Sequence, residues 1–234
     1  MTTPAQARKE AARWAQIEKD DPDFALLHYA EIGHLGKVKK LLSAGADANS
    51  KQDINTGIEN VIDTPLYAAA GAGHVAVAEV LIAAGANVDI EADDRWRPLH
   101  HAALNGEAKM AAMLVGRGAD INHRENLMGQ TPLHIASERG DTDTVRTLVQ
   151  LGADRTLQDH LGRTAADVAC QIAGAGRDDT DKKRKKSHIH AIFNEAAAAD
   201  AARAQAAHAA LSVLQKDVDV AKPVTVRRRR PRAP

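Results

Sequence analysis

Eleven histidines and one cysteine are the residues of this 234-residue chain whose types could ligate a metal or attack a substrate. His188 and His190 stand two positions apart, which on a helix separates their side chains by about 200° and prevents joint chelation. The adjacent pair His100 and His101 is no better placed, and the chain has no HExxH motif. A single cysteine, Cys170, forms neither an internal disulfide nor a thiolate zinc site. The sequence therefore predicts no metal ion and no cofactor.

Nucleophilic and phosphate chemistry also lack the residue patterns that they need. Cys170 lies in a short helical pattern, where we interpret it as a small core residue, and no serine stands in a GxSxG turn. The glycine pairs at 71–73 and 174–176 lack the lysine and hydroxyl residue of a phosphate-binding loop. We expect no catalytic residue and no enzyme. The low cysteine count favours a reducing compartment, and hence a cytoplasmic protein.

The charge of the chain is zero overall but unevenly distributed. Residues 23–176 carry 13 Lys/Arg against 20 Asp/Glu, whereas residues 177–234 carry 14 against 7. The basic runs at 182–186 and 227–230 could neutralise phosphates or bind a nuclear-import receptor. The alternative is a solvated charge run that keeps a linker soluble, which we favour for 182–186 because three aspartates adjoin it. For 227–230 both interpretations stay open.

The sequence predicts no segment that spans a membrane. The longest uncharged run, residues 64–78, has 15 residues and contains Gly, Pro and His, so it is too short and too polar to cross a bilayer. The first residues are polar and charged where a signal peptide has an apolar stretch.

Three short patterns recur along the chain, and their spacing indicates how the elements are organised. Successive copies of the first and third patterns lie 40, 33 and 34 residues apart, and those of the second lie 33, 34 and 33 apart. The patterns begin at Gly45, Gly85, Gly118 and Gly152; at Thr64, Arg97, Thr131 and Thr164; and at Gly33, Gly73, Gly106 and Gly140.

Each unit has the sequence features of two short helices. Thr131 can cap a helix whose first residue is Pro132, and Leu133 then lies on an apolar face of that helix. Gly140 ends the first helix, and a second helix at 142–151 ends at a glycine suited to the left-handed conformation. One unit cannot bury its apolar face alone, so the units must stack.

The motifs TPLY at 64–67, RPLH at 97–100, TPLH at 131–134 and a diverged TAAD at 164–167 resemble the ankyrin repeat. The resemblance covers about residues 24–172. It implies an all-α ankyrin-repeat solenoid of about four to five helix-turn-helix units, with capping helices and a long Ala-rich C-terminal helix. It also gives His100 and His134 a structural role at the motif's histidine position.

We divide the chain into an N-terminal capping helix (1–22), ankyrin repeats (23–176), a basic insert with a C-terminal helix (177–216) and a disordered basic tail (217–234). The capping helix places Trp14 and Ile17 on its inner side. The last repeat's second helix is predicted from residue 187 onward, with Ile189, Ile192 and Phe193 packing inward. We expect the polar loop at 50–63 to be mobile and dispensable for folding.

The resemblance implies that a protein partner contacts the loop tips and the concave inner helices. Trp96, Leu127, Met128 and Leu161 have the character of apolar anchors, although Trp96 could instead pack against the adjacent loop. The predicted partner-binding residues are Asp93, Asp94, Trp96, Leu104, Asn105, Leu127, Met128, Gln130, Glu138, Arg139, His160, Leu161 and Arg163.

Two classes of function remain open at this stage. The first is a non-enzymatic, monomeric scaffold or adaptor in the cytoplasm that binds another protein through the repeat stack. The second is a nuclear or nucleic-acid-associated protein whose basic tail supplies localisation or weak nonspecific contact with nucleic acid. Aromatic residues for base stacking are scarce, at 3% of the chain.

Overall fold

The computed structural model describes residues 4–55, 60–92, 95–171 and 180–220, which divide into two compact units at Phe193 and Asn194. Within the described residues, eleven helices and two strands follow one another. They are α1 (Pro4–Asp20), α2 (Pro22–Glu31), α3 (Leu35–Ser43), β1 (Gln52–Asn55), β2 (Asn60–Asp63), α4 (Pro65–Gly71), α5 (Val75–Ala83), α6 (Pro98–Asn105), α7 (Ala108–Gly116), α8 (Pro132–Arg139), α9 (Thr142–Gln150), α10 (Ala165–Gln171) and α11 (Thr180–Val220).

The helices form pairs that stack in chain order. The first helices pack in the series α2, α4, α6, α8 and α10, and the second helices pack in the series α3, α5, α7 and α9. Each pair therefore contacts its neighbours along the chain, which is the architecture of a helical solenoid. The predicted all-α fold is confirmed.

Leucines at equivalent positions fill the core between units. Four leucines at the spacing of the repeat stand in the first helices α2, α4, α6 and α8, and each is at most 1% exposed: Leu26, Leu66, Leu99 and Leu133. Small residues beside them, such as the fully buried Ala102 and Ala136, let neighbouring helices approach closely. Leucine and alanine thus supply the buried apolar surface of a chain that has few aromatic residues.

Threonine and histidine side chains fix the start of the first helices. Thr131 accepts a hydrogen bond from the backbone N–H of His134, while Nδ1 of His134 accepts one from the N–H of Thr131 (3.3 Å). In the last unit, the carboxylate of Asp167 replaces the imidazole and accepts from the N–H of Thr164 (2.9 Å). These reciprocal bonds satisfy N–H groups that the helix itself leaves unpaired.

The same histidines connect each unit to the next. Nε2–H of His100 donates to the carbonyl of His123 (3.1 Å), and Nε2–H of His134 donates to the carbonyl of Arg163 (3.1 Å). Nδ1 of His100 accepts the N–H of Arg97 (3.2 Å), which identifies Nε2 as the protonated nitrogen. The predicted structural role of His100 and His134 is confirmed.

A second set of bonds joins the turns that end the units. The N–H of Asn87 donates to Oδ1 of Asn49 (2.7 Å), and the N–H of Asp154 donates to Oδ1 of Asn122 (2.9 Å). Between them, the N–H of Asp120 donates to the carboxylate of the preceding unit's Asp89 (3.2 Å). Each turn thus obtains an acceptor from the unit before it.

Glycines end the first helices because the next unit comes too close for a side chain. Gly106 has φ +75°, and a Cβ there would lie 2.6 Å from Oδ2 of Asp141. A substitution would be strained both by the left-handed backbone and by this contact.

The fifth unit confirms one prediction and corrects another. Ile189, Ile192 and Phe193 are buried in the core, as expected for the second helix of this unit. The helix begins at Thr180, however, so the basic run at 182–186 forms its first turns and is not a linker. The helix continues to Val220, four residues into the segment assigned to the tail; residues 221–234 lie outside the described part.

The segment at 50–63 also differs from the expected irregular loop. Strands β1 and β2 pair antiparallel, with Gln52 opposite Asp63 and Asn55 opposite Asn60. The β-branched residue types within QDIN and NVID favour extended backbone, a preference that the polar composition of the segment obscures. Residues 56–59 lie outside the described part of the chain.

Helix α1 packs on α2, the first helix of the first unit. The ring of Trp14 stacks on that of His28, with centroids 3.9 Å apart, and Ile17 packs against the core. The hydroxyl of Tyr29 donates to Glu18 (2.8 Å), which ties α1 to α2.

The repeat core predicts the effect of a substitution at Leu133. Leu133→Ala should lower the free energy of unfolding by about 2–5 kcal/mol, because it removes buried methyl groups and leaves a cavity. Urea unfolding followed by circular dichroism measures this. Leu127→Ala is the matched control, since Leu127 is 64% exposed. Equal unfolding midpoints for the two variants would contradict the assigned core.

Burial of His100 predicts a dependence of stability on pH. Burial lowers the pKa of His100 from 6.5 to about 4, so between these values the unfolded chain binds a proton that the folded chain does not. Stability should fall as the pH drops through this window, with His100 contributing on the order of 3 kcal/mol.

His100→Gln should flatten the pH dependence of the unfolding free energy between pH 6.5 and 4. The control is His188→Gln, since His188 is exposed on α11. A slope unchanged by His100→Gln would show that this histidine does not titrate with unfolding.

Candidate protein-binding surface

The predicted partner-binding residues fall into three places in the structure. Asp93 and Asp94 lie outside the described residues. Most of the other predicted residues lie either on two neighbouring loop tips, at 124–130 and 158–163, or on the face formed by the first helices. Trp96 belongs to neither group.

The loop tip at 124–130 is built around the carboxylate of Glu125. This side chain is nearly buried, and it accepts the backbone N–H groups of Leu127 (2.6 Å), Met128 (2.8 Å) and Gln130 (2.9 Å). The N–H of Glu125 donates to the carbonyl of Gln130 (3.0 Å) and closes the turn. One carboxylate therefore fixes the backbone on which Leu127 and Met128 stand.

The next loop tip repeats this construction with Asp159. Its carboxylate accepts the N–H groups of Leu161 and Arg163 (2.9 Å each) and the Arg163 guanidinium (2.6 and 2.8 Å). Burial alone would raise the pKa of Asp159, but the hydrogen bonds and the positive charge of Arg163 hold it below its usual value. Arg163 is thus a support of the loop.

Hydrogen bonds join the two loop tips into one surface. The N–H of His160 donates to the carbonyl of Met128 (2.8 Å), and its Nδ1 lies 3.3 Å from the carbonyl of Leu127. Nη2 of Arg124 donates to the carbonyl of Gln158 (2.6 Å). We call this the loop-tip surface; it exposes Leu127 (64%), Met128 (41%) and Leu161 (63%).

Trp96 is placed differently from these three residues. It is half-buried and packs against the core, with its ring 5.8 Å from that of His100. Its carbonyl accepts the N–H of Ala92 (2.8 Å). Trp96 thus packs against the core near His100 of its own repeat, whereas the alternative that we gave was the adjacent loop; its contact with a partner stays a prediction.

The remaining predicted residues lie on the face formed by the first helices, which we call the first-helix face. Asn105, Glu138 and Arg139 are exposed and Leu104 is half-buried. Gln130 is 7% exposed, contrary to the exposed position that we expected, and its amide donates to Glu138 (3.0 Å). Gln130 is buried because the loop turns inward there to pair with Glu125.

Sequence reasoning missed the carboxylates that hold the loops. Glu91, Glu125 and Asp159 recur at intervals of 34 residues, a signal that was available in the sequence. Glu91 bonds to Arg97 (3.1 Å), so all three take part in the connections between units. The burial of Glu125 and Asp159 depends on folding of the loops and cannot be read from residue type.

The interpretation of Cys170 as a core residue is wrong. It is exposed, and Sγ lies 3.0 Å from Nε2 of His190 on α11. The inward positions of α10 are taken by Ala165, Val168 and Ala169 instead. Among the residues that the structure describes, no group of three or more His, Cys, Asp or Glu side chains could hold a metal ion.

A stack of paired helices with fixed, solvent-facing loop tips defines a repeat protein of the kind that binds other macromolecules. The family model described as ankyrin repeats in three copies matches residues 26–125, and a single ankyrin repeat matches residues 128–160. The chain belongs to the ankyrin repeat family. Ankyrin repeats generally mediate protein–protein interaction.

The relatives that the chain resembles are varied. It is 35% identical over 167 residues to an ankyrin repeat-containing protein of Treponema pallidum, covering 70% of this chain and 53% of that protein. It is 36% identical over 152 residues to the Probable 26S proteasome regulatory subunit p28 of Saccharomyces cerevisiae, covering 64% of each. The identity is 31% over 151 residues with the Mitochondrial disaggregase of Bos taurus, covering 63% and 21%.

The chain thus spans between half and two thirds of the length of the first two relatives. The names of these three relatives differ in function. Across the described residues, no helix is long and apolar enough to cross a membrane.

The role of Glu125 predicts that its carboxylate stabilises the loop tip. Glu125→Gln should lower the free energy of unfolding by about 1–3 kcal/mol, because an amide oxygen cannot accept the same three N–H groups. Hydrogen exchange at Leu127, Met128 and Gln130 should accelerate. The control Glu10→Gln changes an exposed carboxylate on α1 and should leave both measurements unchanged; identical exchange in the two variants would exclude this role.

Proposed function

We propose that this protein is a non-enzymatic scaffold or adaptor that binds another protein through its loop-tip surface and the first-helix face. The observation that supports it is the exposure of Leu127, Met128 and Leu161 on loops whose backbone is fixed by buried carboxylates. The proposal includes a monomeric chain acting in the cytoplasm.

The energetic argument combines apolar exposure with rigidity. Each exposed leucine or methionine gains roughly 1.5–3 kcal/mol when it is fully removed from water, and the fold does not supply that burial. Loops that are already ordered lose little conformational entropy on binding, so more of this gain appears as affinity. Exposed apolar residues on a rigid, hydrogen-bonded surface are therefore well suited to contact a partner.

The acidic charge of the repeats also favours binding of a protein partner. The repeats carry 20 acidic against 13 basic residues over 23–176, so a partner with a basic surface would be attracted over some distance. Attraction of this kind mainly raises the association rate, while the apolar contacts slow dissociation.

A second candidate function depends on the basic runs. Helix α11 exposes three successive basic residues, Lys183, Arg184 and Lys185. Their side chains could contact phosphates. Under this alternative the protein is nuclear or associated with nucleic acid, and the run at 227–230 contributes further positive charge.

The loop-tip surface can be tested with a triple variant. Leu127→Ala, Met128→Ala and Leu161→Ala together should weaken binding by more than about 2 kcal/mol, as truncation of interface hot spots does. The partner is first identified by crosslinking and mass spectrometry, and calorimetry with the purified partner then gives the Kd.

The matched control is Leu151→Ala, which removes an exposed apolar side chain (41%) at the end of the second helix α9. The control should bind as the unmodified chain does, and circular dichroism should show all variants folded. Normal binding by the triple variant, combined with loss of binding at physiological salt after deletion of residues 221–234, would favour the second candidate.

A further inference from the structure

We infer that the first-helix face contains a pocket that receives an arginine side chain of the protein partner. The pocket lies at the second repeat, which is formed by α4 and α5, and is distinct from the loop-tip surface. The inference rests on the proposed function, since that function supplies the partner, and it specifies one chemical feature that the partner carries.

The pocket exists because the second repeat lacks side chains where the other repeats have them. At the spacing of the repeat, Gly71 corresponds to Glu31, Leu104 and Glu138, and Ala72 corresponds to Ile32, Asn105 and Arg139. The two small residues leave a cavity of about 230 Å³. It is lined by Glu31 from the first repeat, by Asp63 at the end of the hairpin, and by His101 and Asn105 from the third repeat.

The close approach of His101 requires the glycine. A Cβ at Gly71 would lie 2.2 Å from Cε1 of His101, a distance that no side chain can adopt. The imidazole is also stacked on Tyr67, with ring centroids 4.2 Å apart. The pocket therefore has a fixed wall.

The polar groups of the pocket act mainly as hydrogen-bond acceptors. Nδ1–H of His101 donates to the carbonyl of Tyr67 (3.1 Å), and because burial lowers the pKa of His101, the ring is neutral and Nε2 carries a lone pair. The amide of Asn105 donates to the carbonyl of His101 (3.3 Å), which leaves Oδ1 as an acceptor. The carboxylates of Glu31 and Asp63 are acceptors and bring negative charge.

This combination fits a cation with several N–H donors. An arginine guanidinium carries five donors and a permanent positive charge, and its aliphatic stem can contact Ala68 and Ala72. The cavity is smaller than the roughly 300–1,000 Å³ of typical small-molecule sites, so one side chain suits it better than a metabolite.

The first experiment titrates the full-length, ¹⁵N-labelled chain with N-acetyl-arginine amide. Saturable shifts should be confined to the amides of Gly71, Ala72, His101 and Asn105 and should weaken as salt is added. The uncharged analogue N-acetyl-citrulline amide should give no saturable shifts. Equal shifts with both compounds, or shifts spread over exposed carboxylates throughout the repeats, would overturn the inference.

Two variants test the carboxylate and the acceptor separately. Glu31→Gln should weaken binding of the arginine amide about threefold to tenfold, the range expected for a charge-assisted bond that solvent partly screens. Glu138→Gln removes the equivalent carboxylate of the fourth repeat and should have no effect. Asn105→Asp should tighten binding, a gain that unfolding cannot explain, and an unchanged Kd in both pocket variants would exclude the site.

The titration needs no protein partner, so its failure is distinct from failure of the proposed function. Loss of partner binding in the loop-tip triple variant without any arginine-amide binding would overturn the pocket and leave the scaffold. Saturable arginine-amide binding, with unchanged partner affinity in the triple variant, would overturn the loop-tip proposal and support the pocket.

Discussion

Each repeat of this protein depends on its neighbour for hydrogen-bond partners as well as for burial. The imidazole of His134 caps its own helix through Nδ1 and contacts the next loop through Nε2, and Asn122 supplies an acceptor to the following turn. Buried backbone groups are costly when they are left unpaired, so a repeat separated from its neighbour loses both sets of bonds at once. The interfaces between repeats, more than the repeats themselves, therefore carry the stability of the stack.

The same dependence between neighbouring repeats fixes the backbone of the loop-tip surface. Glu125 and Asp159 are buried because the adjoining loops lie against each other, and their carboxylates then hold the backbone beneath Leu127, Met128 and Leu161. Apolar residues on a mobile loop would lose entropy on binding, but here that loss has already occurred on folding. The proposed recognition of a partner would thus use the same interactions that hold the loop tips together.

The sequence predicted the repeats well because their spacing depends on local chemistry that residue types reveal. A threonine followed by proline begins a helix, a glycine ends it, and Leu133 faces inward once the helix is placed. The inward packing of Ile189 and Ile192 followed from the same helical spacing. These features require no knowledge of distant contacts.

The features that the sequence did not reveal depend on tertiary surroundings. Cys170 is exposed because alanines and a valine take the inward positions of α10, and Gln130 is buried because its loop turns toward Glu125. Trp96 has the residue type of an anchor, yet it packs against the core within its own repeat. The pairing of β1 with β2 likewise joins residues whose polar composition indicated only a loop.

The antiparallel hairpin between α3 and α4 has a consequence for how the chain folds. It lengthens one connection, yet α2 still packs on α4, and the main contacts between the described helices of the stack join neighbouring units. Contact order in such a chain stays low, and the entropy of closing one longer loop grows only with the logarithm of its length. Folding can therefore proceed repeat by repeat in the order of synthesis, and a connection can be lengthened during evolution without resetting the register of the repeats that follow it.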